Sequence, residues 1–224
     1  MKILIVSATT LEVQPTLDYL EINGIKLDFF TYSIKNHIIY TLVTGVGALN
    51  TAFSISRFQY LKNIDLAINI GIAGSYKIDF PILSIVQVQK DRFADLGVEE
   101  SDGSFKDVYE MALCNGQQYP YNDGWLASKI HDSFFTNLPN AIGITLNTSK
   151  GTQKSICQMI SKYNPDIESM EGAGFIYACS MFDIPSIQIR AISNNVEPRN
   201  KSNWKVSEAI KCLNEKLVQL ILDN

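Results

Sequence analysis

Two short stretches and one isolated acid hold most of the residues able to do chemistry. "ESMEGAG" spans Glu168–Gly174, "RAISNN" spans Arg190–Asn195, and Glu12 stands alone in "SATTLEV" near the start of the chain. A glutamate of reference pKa about 4.3 is ionised at neutral pH, so Glu12 in a cleft would accept a proton from water. The competing reading is a surface charge favoured by the positive end of a helix. Glu171 carries the same pair of readings. Ser169 fits a helix cap, which puts Glu171 in the first turn. A carboxylate held there can accept hydrogen bonds from two neighbouring hydroxyls, as a sugar diol presents them. Gly172, Ala173 and Gly174 suit close packing better than a surface turn. "RAISNN" runs a short apolar strand into two amides, Asn194 and Asn195, where an enzyme site more often carries an acid.

The elements that must position these residues follow from the hydrophobic pattern. "KILIVSA", "HIIYTLVTG", "DLAINIGIAGS", "LSIVQVQK", "AIGITLNT" and "PSIQIRAIS" read as strands, several of them apolar enough to be buried on both faces. "TLEVQPTLDYLEING" reads as a helix, with Pro15 in its first turn and Gly24 after its end. "ALNTAFSISRFQYLK", "TQKSICQMISKYN", "SMEGAGFIYACSMF" and "SNWKVSEAIKCLNEKLVQLILD" also have helical character, the last being amphipathic. Asp91 to Asn140 is polar, aromatic and irregular. The succession predicts an α/β fold in one domain over residues 1–224, with a mixed, mostly parallel sheet flanked by helices. Such sheets bind ligands beyond the carboxyl ends of their strands. Glu12, Gly45–Gly47, Gly71–Ser75, Asn147–Ser149 and Asn194 all follow or end strands.

Composition excludes several classes. The 224 residues are 46% hydrophobic and 19% charged, which is globular and not disordered. A net charge of −4 offers no footprint for nucleic acid. Cys114, Cys157, Cys179 and Cys212 form no CxxC pair and read as free thiols. His37, in a strand-like run, and His131, in a helix-like one, do not read as a metal site, and none is expected. No signal-like or membrane-length segment is seen, so a cytoplasmic protein without membrane partners is the expectation. "GVGALN" lacks the third glycine of a dinucleotide fingerprint, having Asn50 there, and reads as a tight strand-to-helix turn.

Taken together and in order, "MKILIVSATTLEV", "TGVGALNTA", "INIGIAGS" and "ESMEGAG…RAISN" resemble the nucleoside phosphorylase/nucleosidase superfamily over nearly the whole chain. Its general relatives here are methylthioadenosine/S-adenosylhomocysteine nucleosidases. "RFADLGVEESDGSF" and "SNNVEPRNKSNW" resemble more particularly the futalosine-cleaving branch, whose activity belongs to menaquinone biosynthesis. The resemblance implies a three-layer phosphorylase-like fold, a small nucleoside substrate, hydrolysis without a metal or organic cofactor, and a homo-oligomer, commonly a dimer. By position it assigns Glu12 to the hydrolytic water, Glu171 to the ribose hydroxyls and Met170 to packing against the sugar. Ala73 and Gly74 would line the base and anomeric region, Arg190 would stand near the water network, and Val46 would touch the nucleoside.

Asn194 departs from the adenine-releasing relatives, which have an aspartate there. An aspartic acid serves a 6-aminopurine by accepting from its amino group. An asparagine donates its amide N–H to a 6-oxo group and offers its carbonyl to a protonated nitrogen 7, which suits hypoxanthine. The carboxylated aromatic tail implied for the substrate needs a cation and an apolar wall. Arg92, Arg199 and Lys201 are candidates for the first, Phe93 and Trp204 for the second. The alternatives are another purine nucleosidase, a phosphate-dependent phosphorylase, and a catalytically silent nucleoside-binding protein. Against the phosphorylase stand the lack of any arginine before Arg57 and the repulsion of phosphate by Glu12.

Overall fold

The computed structural model describes all 224 residues, Met1–Asn224. Its first strand, β1 (Lys2–Ser7), shows why the sequence opens on an unbroken apolar run. Ile3 and Ile5 face one core while Leu4 and Val6 face a second on the opposite side of the sheet. A strand covered on both faces has no polar side to present. Helix α1 (Thr10–Asn23) follows directly. Thr9 caps it, its hydroxyl accepting from the Glu12 N–H while the Glu12 carboxylate accepts from the Thr9 N–H, a reciprocal capping box. Pro15 is the sixth residue of this helix, so it lies in the second turn and not in the first as expected.

Strands β2 (Ile25–Asp28) and β3 (Thr31–Ile34), which the sequence reading lacks, form antiparallel ribbons leading into β4 (His37–Val43). Helix α2 (Ala48–Ser56) is shorter than its apolar periodicity suggests, giving way to a turn and a 3-10 segment at Leu61–Asn63. Strands β5 (Leu66–Ser75) and β6 (Ile85–Asp91) come next. β7 (Gly97–Glu99) and β8 (Phe105–Asp107) make a separate small ribbon, and β9 (Leu126–Ala127) adds to β6. The rest is β10 (Asn140–Thr145), α3 (Gln153–Tyr163), β11 (Ile167–Ser169), α4 (Gly172–Met181), β12 (Ser186–Asn195) and α5 (Val206–Asp223).

The main sheet runs β11-β10-β6-β12-β5-β1-β4-β3-β2, and β11 also pairs with β5. Five strands therefore close into a ring, β5-β12-β6-β10-β11, from which the rest of the sheet extends. Pairing is parallel through the centre, β4-β1-β5-β12, and antiparallel at β12–β6, β11–β5 and the β2–β3–β4 edge. Helices α1 and α5 pack on one face through Val13, Leu17, Leu213 and Leu217. Helix α4 packs on the other through Phe175, Ile176 and Cys179, joined there by Ile55 of α2. The α/β, mixed-sheet, helix-flanked expectation matches this architecture.

The irregular stretch from Asp91 to Asn140 is tied to the body of the fold. Phe134 is buried in the α1/α5 core, and Leu126 in the core beside α4. Buried Arg92 pairs with Asp107 at 2.8 Å and lies over the rings of Tyr109, Trp125 and Tyr163. His131 sits beside a turn and not in a helix, its Nδ1 accepting from the Ser133 N–H.

Candidate active site

A cavity of about 310 Å³ opens beyond the carboxyl ends of β1, β5 and β12. Glu12, Val46, Ala73, Gly74, Met170, Glu171 and Asn194 all line it. Chain segments far apart in sequence meet here for one topological reason: parallel neighbouring strands end on the same side.

Glu12 is buried, so the surface-charge reading gives way. Its Oε2 accepts from the Thr9 N–H at 3.0 Å and the Thr9 hydroxyl at 2.9 Å. Its Oε1 accepts from the Ile72 N–H at 3.2 Å, which ties the carboxylate to the end of β5. The helix carrying it is fixed from behind. Asn214 of α5 accepts from the Thr16 N–H and hydroxyl and donates to the Glu12 carbonyl, all in the buried α1/α5 contact. Val206 and Ile210 of that same α5 form part of the cavity wall.

Glu171 stands at the N-cap of α4 instead of in its first turn, because the backbone turns helical only at Gly172. Ser169 ends β11, and its hydroxyl accepts from the Gly172 N–H at 3.3 Å. The Glu171 Oε1 accepts from the Gly47 N–H at 3.2 Å. Gly47 holds φ near +103°, a conformation that would strain a residue with a side chain, and this turn is what aims its N–H at the carboxylate. The "GVGALN" loop thus spends its backbone donor on a protein carboxylate. Gly174 lets α4 approach the α2 backbone: a β-carbon there would lie 2.4 Å from the Ala48 carbonyl oxygen.

Arg190 does not line the cavity; it lies under it, with only 1% of its surface exposed. Its Nε donates to Gln188 at 3.0 Å, one Nη donates to Asn69 at 2.5 Å, and the same Nη lies 3.9 Å from Glu171 Oε2. Gly71 makes room for it, since a β-carbon there would stand 2.1 Å from the guanidinium and 3.0 Å from Glu12 Oε1. One buried cation therefore serves the region between the two carboxylates. Burial pushes the Glu171 pKa up; Arg190 and the Gly47 N–H pull it back, and the Glu12 charge adds to the rise. Behind Arg190, Gln188 donates to fully buried Asp91, whose pKa burial pushes up to about 6.

Asn194 lies at a bulge in β12, opposite Gly74 of β5. Its Oδ1 accepts from the Ser193 hydroxyl at 2.8 Å, and its Nδ2 donates to the Asn195 carbonyl at 2.9 Å. Each still has capacity for one more partner. The tail candidates separate. Trp204 lines the cavity, while Arg199 lies over the Trp204 ring in a small recess on the Asn194 side. Lys201 is exposed in a 3-10 turn. Arg92 is spent on Asp107 and three aromatic rings, and Phe93 packs against the α4 core, so neither reaches the cavity.

The structure adds Glu168, buried and lining the same cavity. Tyr76 donates to its Oε2 at 2.5 Å and Ser149 to its Oε1. Burial raises its pKa against these hydroxyls. The sequence signal was the first letter of "ESMEGAG", an acid three before Glu171. It is legible only once β11 is known to exist.

Fold and cavity together define a class. The chain belongs to the phosphorylase superfamily, whose family model matches residues 2–221. Among curated relatives, it is 26% identical to a futalosine hydrolase of Thermus thermophilus over 229 residues, covering 98% of this chain and 95% of the relative. It is 27% identical to a futalosine hydrolase of Streptomyces coelicolor over 185 residues, covering 80% and 77%. A solved 5'-methylthioadenosine/S-adenosylhomocysteine nucleosidase from Helicobacter pylori, crystallised with butyl-thio-DADMe-Immucillin-A, superposes with a TM-score of 0.80 at 14% identity, covering 100% of this chain and 99% of that one. No helix is long and apolar enough to cross a membrane.

Proposed function

We propose that this chain is an N-glycosyl hydrolase that cleaves futalosine to hypoxanthine and dehypoxanthine futalosine, a step of menaquinone biosynthesis. The observation that carries the reading is the placement of Glu12 and Glu171 in one cavity with the neutral amide of Asn194. Glycosidic cleavage builds positive charge on the sugar and negative charge on the base. Carboxylates belong beside the first, and a hydrogen-bonding amide beside the second. Glu12, held at the end of β5, accepts the proton of the attacking water. Glu171 accepts from the ribose hydroxyls, with Met170 packed against the sugar and Val46 against the nucleoside. Ala73 and Gly74 bring backbone close to the base and anomeric carbon.

Water, not phosphate, fits as the nucleophile. The cavity wall carries no lysine or arginine. Buried Arg190 is already engaged by Gln188, Asn69 and Glu171. A phosphate dianion would meet Glu12 and Glu171 with no free cation to offset them. We further propose a cytoplasmic homodimer, in keeping with the superfamily resemblance. Exposed Leu11 and Val46 at the cavity mouth offer apolar surface for a second copy.

The test is incubation with futalosine, with and without phosphate, followed by chromatography. Free hypoxanthine appearing at equal rates in both supports hydrolysis. Release only with phosphate would make the chain a phosphorylase. No release from futalosine, with release of adenine from methylthioadenosine, would move it to the other nucleosidase branch.

A further inference from the structure

We propose that Glu168 is the general acid of the reaction, giving its carboxyl proton to the departing 6-oxopurine while Asn194 holds the base edge. The inference rests on the hydrolytic reading above and deepens it. An amide accepts and donates hydrogen bonds but does not surrender a proton at neutral pH. If Asn194 takes the place of an acid, the leaving base needs its proton from elsewhere. Only three titratable side chains line the cavity: Glu12, Glu168 and Glu171. Glu12 receives the proton of water, and Glu171 accepts from the diol. Glu168 has no part in either.

Its position fits the remaining task. In the sheet, Gly74 is the register partner of both Asn194, from parallel β12, and Glu168, from antiparallel β11. A β-carbon on Gly74 would lie 3.2 Å from Asn194 Nδ2 and 3.5 Å from Glu168 Cγ. Val196 Cγ2 comes closer still, at 2.9 Å, so the bare Gly74 backbone is packed by Val196 with the amide on one flank and the acid on the other. A planar base lying there meets both.

Its surroundings also differ from those of Glu171. The Glu168 carboxylate accepts from two neutral hydroxyls, Tyr76 and Ser149. Other charged groups on its side are Lys150, from the segment after β10, and Glu197 and Arg199, from the segment after β12. No buried guanidinium lies against it as Arg190 does against Glu171. Burial favours the protonated form that an acid catalyst needs, and the Ser149 and Tyr76 hydroxyls and nearby Lys150 offset it only in part.

The step balances. Water adds its oxygen to the anomeric carbon and loses a proton to Glu12. The C–N bond breaks with its electron pair on the purine, and the purine takes the Glu168 proton and leaves neutral. The enzyme is left with protonated Glu12 and ionised Glu168, and exchange with solvent restores both.

The pH dependence of turnover on futalosine tests this. Wild type should lose kcat/KM on the alkaline side as Glu168 gives up its proton. Glu168→Gln should lower kcat by about 100-fold, leave KM within about threefold, and remove the alkaline limb from the residual rate. Tyr76→Phe deletes one hydrogen bond to the ionised form, so the acid form persists longer and the limb should move to higher pH. That second variant decides the matter even where Glu168→Gln fails to fold. An alkaline limb unmoved in Tyr76→Phe, or Glu168→Gln retaining more than about a third of wild-type kcat, would overturn the assignment. Wild type releasing no hypoxanthine from futalosine would instead sink the functional reading beneath it.

Discussion

The two ends of the cavity are built from the same materials and wired differently. At one end, Glu12 and Glu171 are held by backbone N–H groups from β5 and the Gly47 turn, over the buried cation of Arg190. At the other end, Glu168 is held by the hydroxyls of Tyr76 and Ser149, beside the neutral amide of Asn194. The first arrangement sets two carboxylates over a buried cation, where the proposed reaction builds charge on the sugar. The second leaves a carboxyl able to keep its proton where a base departs. The proposed mechanism thus gives identical side chains opposite duties according to the donors around them.

The largest effect should come from the charged end. Glu12→Gln keeps the shape and loses the base, so kcat should fall by about two or more orders of magnitude while the fold holds. Near-normal turnover, measured as hypoxanthine release, would remove Glu12 from the mechanism. Glu171→Gln should be milder. Loss of charge-assisted hydrogen bonds to the diol costs about 1.5–3 kcal/mol in kcat/KM. An unchanged kcat/KM with a lowered melting temperature would make Glu171 a structural helix-end charge.

Gly71→Ala probes the space beneath that end. Its β-carbon would fall 2.1 Å from the Arg190 guanidinium. Overpacking of a buried site costs about 1–3 kcal/mol, so a lowered melting temperature is expected. An unchanged melting temperature together with wild-type turnover would show that Arg190 has room to move.

The smallest effect concerns pH and stability. The folded pKa of Asp91 is raised to about 6 from an ordinary value of 3.8. Below the ordinary value both folded and unfolded chains hold the proton. Between the two values the folded chain holds it and the unfolded chain does not. Stability from this group therefore falls as pH rises from about 4 to about 6 and is level above. Glu168 and Glu171 are shifted in the same direction. Urea unfolding across this range should show the decline, and Asp91→Asn should flatten it. An unaltered slope would contradict the role given to Asp91.

Much of the charged end was legible in the sequence, and so was Asn194 at the other. Glu12, Gly47, Arg190 and Asn194 lie on or just after strands of six or more residues, long enough to declare themselves by apolar runs. The other end was less so. Glu168 lies in a three-residue strand, too short for any periodicity, just before the stretch with helical character. Strand β2, "IKLD", is wholly exposed, so no buried face marks it. Arg92 looked available because the sequence does not show that Asp107 and three aromatic rings converge on it. Closure of the β5-β12-β6-β10-β11 ring was likewise hidden, since it depends on that same short β11.

The central claim is that the neutral end reads a 6-oxopurine, and Asn194→Asp tests it most directly. At neutral pH the new carboxylate would face the 6-oxo oxygen and leave that acceptor unpaired, whereas a 6-amino group would find a partner. The measurement is the ratio of kcat/KM for futalosine to that for its 6-amino analogue, in wild type and variant. Futalosine cleavage should drop by about two or more orders of magnitude, with the analogue spared or improved, so the ratio collapses. An unshifted ratio would mean that Asn194 does not read the base edge.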